Sequence, residues 1–593
     1  MNARGGLRGI KGDELVGVGV PTTKRRLAAG IPLLVEAYRF LRSPRAQLDV
    51  ERDLRTTRRR TRFLRRITTP PRSRTALAVC LSEEPWEIKM VLASAAALRL
   101  RGWRVVVLGR SDAASRLRRY AAAFGVDDFV GYDRFTPTGA EKAELEARAE
   151  RLVRDAASFQ EAVGWEFEGS SVGVHALSSV SRRLLEGNPD PTDPAVRADL
   201  RAVLPEAFFS VRRAARLLDA VNPDLVVIGE TNYVVRGPLV DVAVERGVKV
   251  AQVQRLWRED ALMSRVVNST TRRTHPAALS AETLERLAAG PWTDAHEQVL
   301  RREFSDRYGG VYEMQQAYQA EGVRRYDKAS FRSALGIRPG RKVVVIFSHV
   351  LWDANLFYGE DLFDNFGVWL VETLRVACRN DTVDWVLKVH PANLWKRRFH
   401  GSDRLNELEL IAEHVGELPP HVHLLMPDTD VSTISVYEHA DVGVTVRGTP
   451  GMEMPCFGKP VLTAGTGRYS GLGFTVDSST REEYLGRLET VADLEELDES
   501  QVARAKWHAL GVFRLRQMPL RTLRPTRIAG GDGVRDDFVW TPSSPEEFRE
   551  CGDFDLWVEW VEEGATWEYL HPDPSIWPEG SGASRREVRV EGG

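Results

Sequence analysis

The stretch with the most chemical content runs from Ser435 to Gly465, SVYEHADVGVTVRGTPGMEMPCFGKPVLTAG. An apolar strand ending at Val446 leads into Arg447-Gly448-Thr449-Pro450-Gly451, and a helix carrying Glu453 follows. Glycines in such a turn let the backbone come close to a ligand, and the start of a helix presents free N–H groups with a partial positive charge. Diphosphate binding is the use this predicts, with Glu453 placed to accept hydrogen bonds from ribose hydroxyls. Lys388-Val389-His390-Pro391 is the second feature. The proline ends a buried-looking strand and leaves His390 at the carboxyl edge of a sheet. Third is Phe347-Ser348-His349-Val350-Leu351-Trp352-Asp353, directly after another strand. There Ser348 and His349 could touch phosphate and Asp353 or Glu360 could face an acceptor, or the segment could be an aromatic-rich packing loop.

These residues need strands to carry them. Thr75 to Gly109 reads as one βαβ unit, with an apolar run at Ala76–Leu81, helical spacing from Glu87 to Arg101 and a second run at Trp103–Gly109. Ala113–Phe124 is predicted helix and Asp128–Tyr132 strand. A charged, Ala-rich helical insertion is expected over about 138–216. Alternation resumes with a strand at Asp224–Gly229, a helix from about Gly237 to Arg246 and a strand at Val248–Val253. A polar helical connection over 271–335 then precedes a new series, with strands at Lys342–Phe347, Asp384–Val389, Val422–Leu425, Asp441–Val446 and Pro460–Leu462. Helices are expected at Phe366–Cys378, Val431–His439 and Met452–Phe457. The fold class this predicts is α/β, with two Rossmann-like domains facing a central cleft, at 75–270 and 336–510. A basic N-terminal arm (1–74) and a C-terminal extension (511–593) flank them, the latter expected to wrap back across the first domain.

At this point the sequence resembles a family. The G-T-x-G-x-E of Gly448–Glu453 followed by Gly458-Lys459-Pro460-Val461 looks like the nucleotide-binding end of GT-B glycosyltransferases. The likeness is to the capsule and surface polysaccharide group that includes the bacterial Kdo transferases, with CDP-glycerol glycerophosphotransferases and UDP-N-acetylglucosamine 2-epimerases similar at the same place. It covers roughly 340–475 well and the first domain in outline. Arg447 departs from it, standing where the family has a small polar residue. The resemblance implies transfer of a sugar from a nucleotide-activated donor, CMP- or UDP-linked, to a surface or capsular polysaccharide or lipid-linked acceptor. It implies that His390 gives a hydrogen bond or proton to the departing phosphate, a task suited to a group titrating near neutrality. It also implies a general base in first-domain loops, where Glu83 and Glu84 compete with Glu230. A sugar-nucleotide 2-epimerase and a non-catalytic nucleotide- or carbohydrate-binding scaffold are the alternatives.

Composition bounds the rest. The 593 residues carry a net charge of -2, 43% hydrophobic residues and 28% charged, which is ordinary globular composition with no apolar run of about 20 residues. No secretory signal is expected, and a cytoplasmic location at or near the inner face of the membrane follows. Residues 1–76 hold 19 Lys and Arg against 6 Asp and Glu. That arm reads as a solvated segment, or as a peripheral anchor on an anionic membrane through an apolar face of Ile31, Leu33, Leu34, Val35, Tyr38, Phe40 and Leu41. Nucleic acid is not an expected partner, because no binding motif accompanies the charge. Cys80, Cys378, Cys456 and Cys551 form no CxxC pair. Asp428-Thr429-Asp430 has the D-x-D pattern of a metal site, but Asp430 is better placed as the N-cap of the next helix. No cofactor and no metal are expected beyond the donor itself.

Overall fold

A computed structural model of the protein describes residues 41, 44–67, 73–82, 84–111, 114–187, 189–312, 320–352, 356–394, 405–530 and 533–577. Glu83, Asp353 and the apolar face of residues 31–40 lie outside them. The chain divides into two compact units. The first comprises residues 1–183, 189–272 and 518–569, and the second 184–188, 273–517 and 570–593.

The first unit is built on a seven-stranded sheet. Its strands are β1 (Thr75–Cys80), β2 (Arg104–Gly109), β3 (Phe129–Gly131), β4 (Leu225–Ile228), β5 (Lys249–Gln254), β6 (Ala261–Val267) and β13 (Met518–Pro519). Their spatial order is β13-β6-β5-β4-β1-β2-β3. β1 to β5 run parallel, while β6 and β13 are antiparallel additions at one edge. All six residues of β1 are buried, as expected for a parallel strand covered on both faces. The order reverses between β1 and β4, which is the switch point of a doubly wound sheet.

Helices Gly139–Asp155, Phe159–Val163, Val172–Leu184 and Pro194–Val221 stand between β3 and β4. The helix expected from Gly237 begins at Tyr233 and carries Pro238 inside it. β6 was not expected, since Arg265 interrupts its apolar pattern; that side chain is buried, with Nε donating to Gln252 Oε1 at 2.7 Å.

Part of the basic arm is not solvated. Residues Pro44–Arg60 form a helix whose Val50, Leu54 and Thr57, at helical spacing, are buried, as is Thr61 in the 3-10 turn that follows, while Arg52, Arg55, Arg58 and Arg59 are exposed. The helix is clipped down by Lys89, whose Nζ reaches Asp53 at 2.7 Å and Asp537 at 2.9 Å in the buried interior. Asp537 lies in the hairpin of β14 (Leu523–Gly530) and β15 (Gly533–Trp540). Trp540 and Trp557 are buried in the same core as the β1 residues, so residues 518–569 of the extension complete the first unit.

The second unit holds a six-stranded, all-parallel sheet. It comprises β7 (Val343–Phe347), β8 (Asp384–Lys388), β9 (Val422–Leu425), β10 (Val442–Thr445), β11 (Val461–Thr463) and β12 (Val476–Asp477). The order is β12-β11-β10-β7-β8-β9, again a Rossmann arrangement, with its switch point between β7 and β10. Alternate residues of β7 serve two cores: Val344 and Ile346 pack with Trp369 and Trp385 on one face, and Val343, Val345 and Phe347 with Tyr437 and Met454 on the other. No helix among the described residues is long and apolar enough to cross a membrane.

Candidate functional site

Because β7 is central and its neighbours β8 and β10 run parallel to it, three loops must leave the same edge of the sheet side by side. They carry Ser348-His349, Val389-His390 and Val446–Gly451. His349 therefore stands at the switch point, and its contacts span it. Its Nε2 accepts from Val446 N at 3.1 Å and from Arg447 N at 3.5 Å. Backbone N–H groups can only donate, so Nε2 is the bare nitrogen and the proton of the neutral ring resides on Nδ1. The ring stacks on Phe366 at 4.2 Å between centroids. Burial, with Arg447, His390 and Arg468 adding repulsion, holds its pKa well below the usual histidine range.

His390 is the mirror case. Ala392 N donates to its Nδ1 at 3.0 Å, leaving the proton on Nε2. Its pKa is pushed down to about 3 by burial and, secondarily, by Lys388. The near-neutral titration expected for His390 is therefore not what this setting produces: the ring is a neutral N–H donor. Lys388 itself is buried and pushed down to about 8 by desolvation.

His349 and His390 line one small recess with Trp352, Asn393, Asn406 and Glu407. Glu407 holds it together and was not singled out from the sequence. Its Oε1 accepts from Ser348 Oγ at 3.0 Å, His390 N at 3.2 Å and Asn393 Nδ2 at 3.1 Å. One buried carboxylate thus ties the β7 loop to the β8 loop, and burial raises its pKa against those hydrogen bonds. Nothing in Leu405-Asn406-Glu407-Leu408 distinguishes it in sequence, because its partners are 14 to 59 residues away. Ser348 is correspondingly turned inward, 5% exposed.

The turn after β10 differs in detail from its expected form. Val446 and Arg447 amides are taken by His349, Gly448 N donates to Thr445 Oγ1 at 3.2 Å, and Gly451 N to Gly448 O at 3.0 Å. The α-helix that follows is only Pro450–Glu453, continuing as a 3-10 turn over Met454–Phe457. So the peptide groups of this turn are mostly spent on itself, and the helix is too short to build a large dipole. Gly451 is required by packing: a Cβ there would stand 2.0 Å from the Tyr469 hydroxyl, which donates to Gly448 O at 2.8 Å. Thr449 is half-buried at the turn's crest.

Glu453 lies in the core, 0% exposed. Arg307 Nη2 pairs with its Oε1 at 2.9 Å, Tyr437 donates to its Oε2 at 2.7 Å, and Tyr308 donates to the same oxygen. The expected ribose contact is thus replaced, in this arrangement, by a buried ion pair that braces the site from below. Arg447 is 5% exposed and paired with Asp361. Burial pushes the Asp361 carboxyl up to about 6, with Arg447 opposing the rise.

At the switch point of the first sheet, Glu84 is exposed at the start of helix Pro85–Leu100, and Glu230 follows β4. Glu230 Oε1 accepts from Thr231 N at 2.8 Å and Asn232 N at 3.0 Å, closing its own loop. Glu87, one helical turn on from Glu84, also reaches the β4 edge: it pairs with Arg236 at 2.9 Å, and a Cβ on Gly229 would lie 3.3 Å from its Oε1. Asp430 is not a helix N-cap. That position belongs to Ser432, while Asp430 accepts from Tyr326 at 2.8 Å and Arg324 at 3.0 Å. Glu360 is exposed, with its carbonyl accepting from Thr466 N at 2.8 Å. Among the described residues no group of three or more His, Cys, Asp or Glu could hold a metal ion.

No family model matches the chain, and no curated protein does. Solved structures similar to it include KpsC, the β-Kdo 2,7 transferase of Thermosulfurimonas dismutans, at 15% identity and a TM-score of 0.28, over 55% of this chain and 85% of that one. The UDP-GlcNAc 2-epimerase of Neisseria meningitidis bound to UDP-GlcNAc is similar at 13% identity and a TM-score of 0.21, over 73% and 97%. The glycotransferase of kitacinnamycin is similar at 15% and 0.22, over 75% and 95%. The two sheet orders, rather than these similarities, define the fold as a pair of Rossmann-like units.

Proposed function

We propose that the chain is a GT-B glycosyltransferase that binds a nucleotide-activated sugar, CMP- or UDP-linked, at the carboxyl edge of the second sheet. The acceptor in this reading is a surface or capsular polysaccharide or a lipid-linked glycan. The observation that carries it is the convergence at one sheet edge of two neutral imidazoles, whose remaining N–H groups make no backbone hydrogen bond among the described residues, and the buried Arg447. Neutral N–H donors and a guanidinium suit an oxyanion, and switch points of parallel sheets are where nucleotides bind.

His390 serves as a hydrogen-bond donor to the phosphate that leaves, with Nε2 as the donating atom. Its charge is not needed, since Arg447 supplies it. Deprotonation of the acceptor hydroxyl is assigned to a carboxylate of the first-domain loops, Glu83, Glu84 or Glu230. The test is a thermal-shift series on the full chain with CMP, CDP, UDP, GDP and ADP. A cytidine or uridine nucleotide at about 100 times its Kd should stabilise by about 2.7 kcal/mol, and no shift with any of the five would discard the reading. Incubation with UDP-N-acetylhexosamine alone then separates transfer, which needs an acceptor, from 2-epimerisation, which does not.

A further inference from the structure

The cations of this edge are not all spoken for. Arg447 gives one Nη2 hydrogen to Asp361, yet its Nε and Nη1 are buried without a hydrogen-bond partner among the described residues. Arg468, in the loop after β11, makes no ion pair and no side-chain hydrogen bond among the described residues, and its Nε is buried and unpartnered too. Two glycine-rich loops bring them together. Gly467 lies so close over Arg447 that a Cβ there would be 2.7 Å from the Arg447 Cβ. Gly467 N donates to Ser470 Oγ at 2.8 Å, and the Tyr469 hydroxyl anchors the same loop on Gly448 O. Arg468 sits between these two anchor points in sequence.

Its surroundings are short of negative charge. Burial lowers the Arg468 pKa to about 10, with Tyr469 and Glu453 opposing and Arg307 and Arg447 adding to the fall. Glu453 is already paired with Arg307, and Asp361 with Arg447. His349 feels both Arg447 and Arg468. A buried guanidinium with unmet donors is costly to keep. The cost is recovered when an anion with several acceptor oxygens occupies the fork, which is the shape of a phosphate.

We propose that Arg447 and Arg468 form one anion site that grips a phosphate group from the β10–β11 side, so that guanidinium forks replace turn amides as the main phosphate contacts in this chain. The proposal deepens the nucleotide-sugar reading and rests on it for the identity of the phosphate: the donor's own. The probes are therefore CMP, UDP, inorganic pyrophosphate and the phosphate-free nucleosides cytidine and uridine, titrated into the full chain by calorimetry. Arg468→Gln should weaken the nucleotides and pyrophosphate at least tenfold and leave nucleoside affinity where it was. Arg468→Lys keeps the charge but loses the fork, so its loss should be smaller but measurable; this variant carries the test if Arg468→Gln does not fold.

Equal nucleotide affinity in the wild type and both variants would overturn the arginine site and leave the nucleotide reading standing. Pyrophosphate binding that is lost in Arg468→Gln, in a protein that binds no nucleotide, would support the anion site and overturn its assignment to a donor. Absence of any phosphate binding by the wild type would overturn both.

Discussion

Replacing Glu453 with Gln separates two roles that the turn sequence alone leaves equivalent. A ribose-binding glutamate at a protein surface would cost affinity and little stability when amidated. The observed carboxylate is 0% exposed, 2.9 Å from Arg307 Nη2 and 2.7 Å from the Tyr437 hydroxyl, with Tyr308 donating to the same oxygen. Glu453→Gln keeps the shape and removes the charge, so Arg307 would be left buried beside a neutral amide. Breaking a buried pair from one side costs about 3–5 kcal/mol. The tyrosine side is cheaper, because the two hydroxyls lie 3.2 Å apart and can reverse their donor roles; about 1 kcal/mol is the scale of such an exchange. A loss of about 4 kcal/mol in a unit of this size lowers the melting temperature by roughly 8–16 °C. Differential scanning calorimetry measures it directly. Adding Arg307→Met to Glu453→Gln should return part of the loss, since the orphaned charge goes with it. A melting temperature within about 2 °C of wild type, together with weakened nucleotide binding, would refute the reasoning and return Glu453 to the ligand.

Two further outcomes follow from the same packing. His508 is fully buried beside Phe474, and burial pushes its pKa down to about 3. A depressed folded pKa gives stability that is present above about pH 6.5 and lost as pH falls towards 3, about 2 kcal/mol of it between pH 7 and 5 for one such histidine. His508→Leu should therefore show a smaller drop in melting temperature over that interval; an unchanged pH slope would rule out His508 as a source of it. Gly451→Ala drives a methyl into the Tyr469 ring and should cost about 1–3 kcal/mol of stability by urea denaturation. A neutral result there would mean that the glycine serves a ligand rather than the tyrosine.

Sequence alone determined the doubled Rossmann theme, because β1 and β7 are short, doubly apolar runs separated by helical spacing, and such runs form buried parallel strands whatever surrounds them. It also placed His349, His390 and Arg447 at strand ends, since a proline or a glycine-rich turn after an apolar run marks the carboxyl edge. What it could not decide was which polar groups at that edge face outward. Glu407 reads as one more acid in a charged helix until folding brings it against Ser348 and His390. Glu453 reads as a ligand contact until Arg307, 146 residues earlier, claims it. The antiparallel β6 and the β14–β15 hairpin were hidden for the same reason: their stability comes from Gln252, Lys89 and the tryptophans of the last segment, not from their own pattern. Local pattern sets where strands and turns form, because backbone geometry and burial act over a few residues. The pairing of buried charges is decided over the whole chain, because only the folded structure brings the partners within hydrogen-bond distance and removes the water that would otherwise serve each of them.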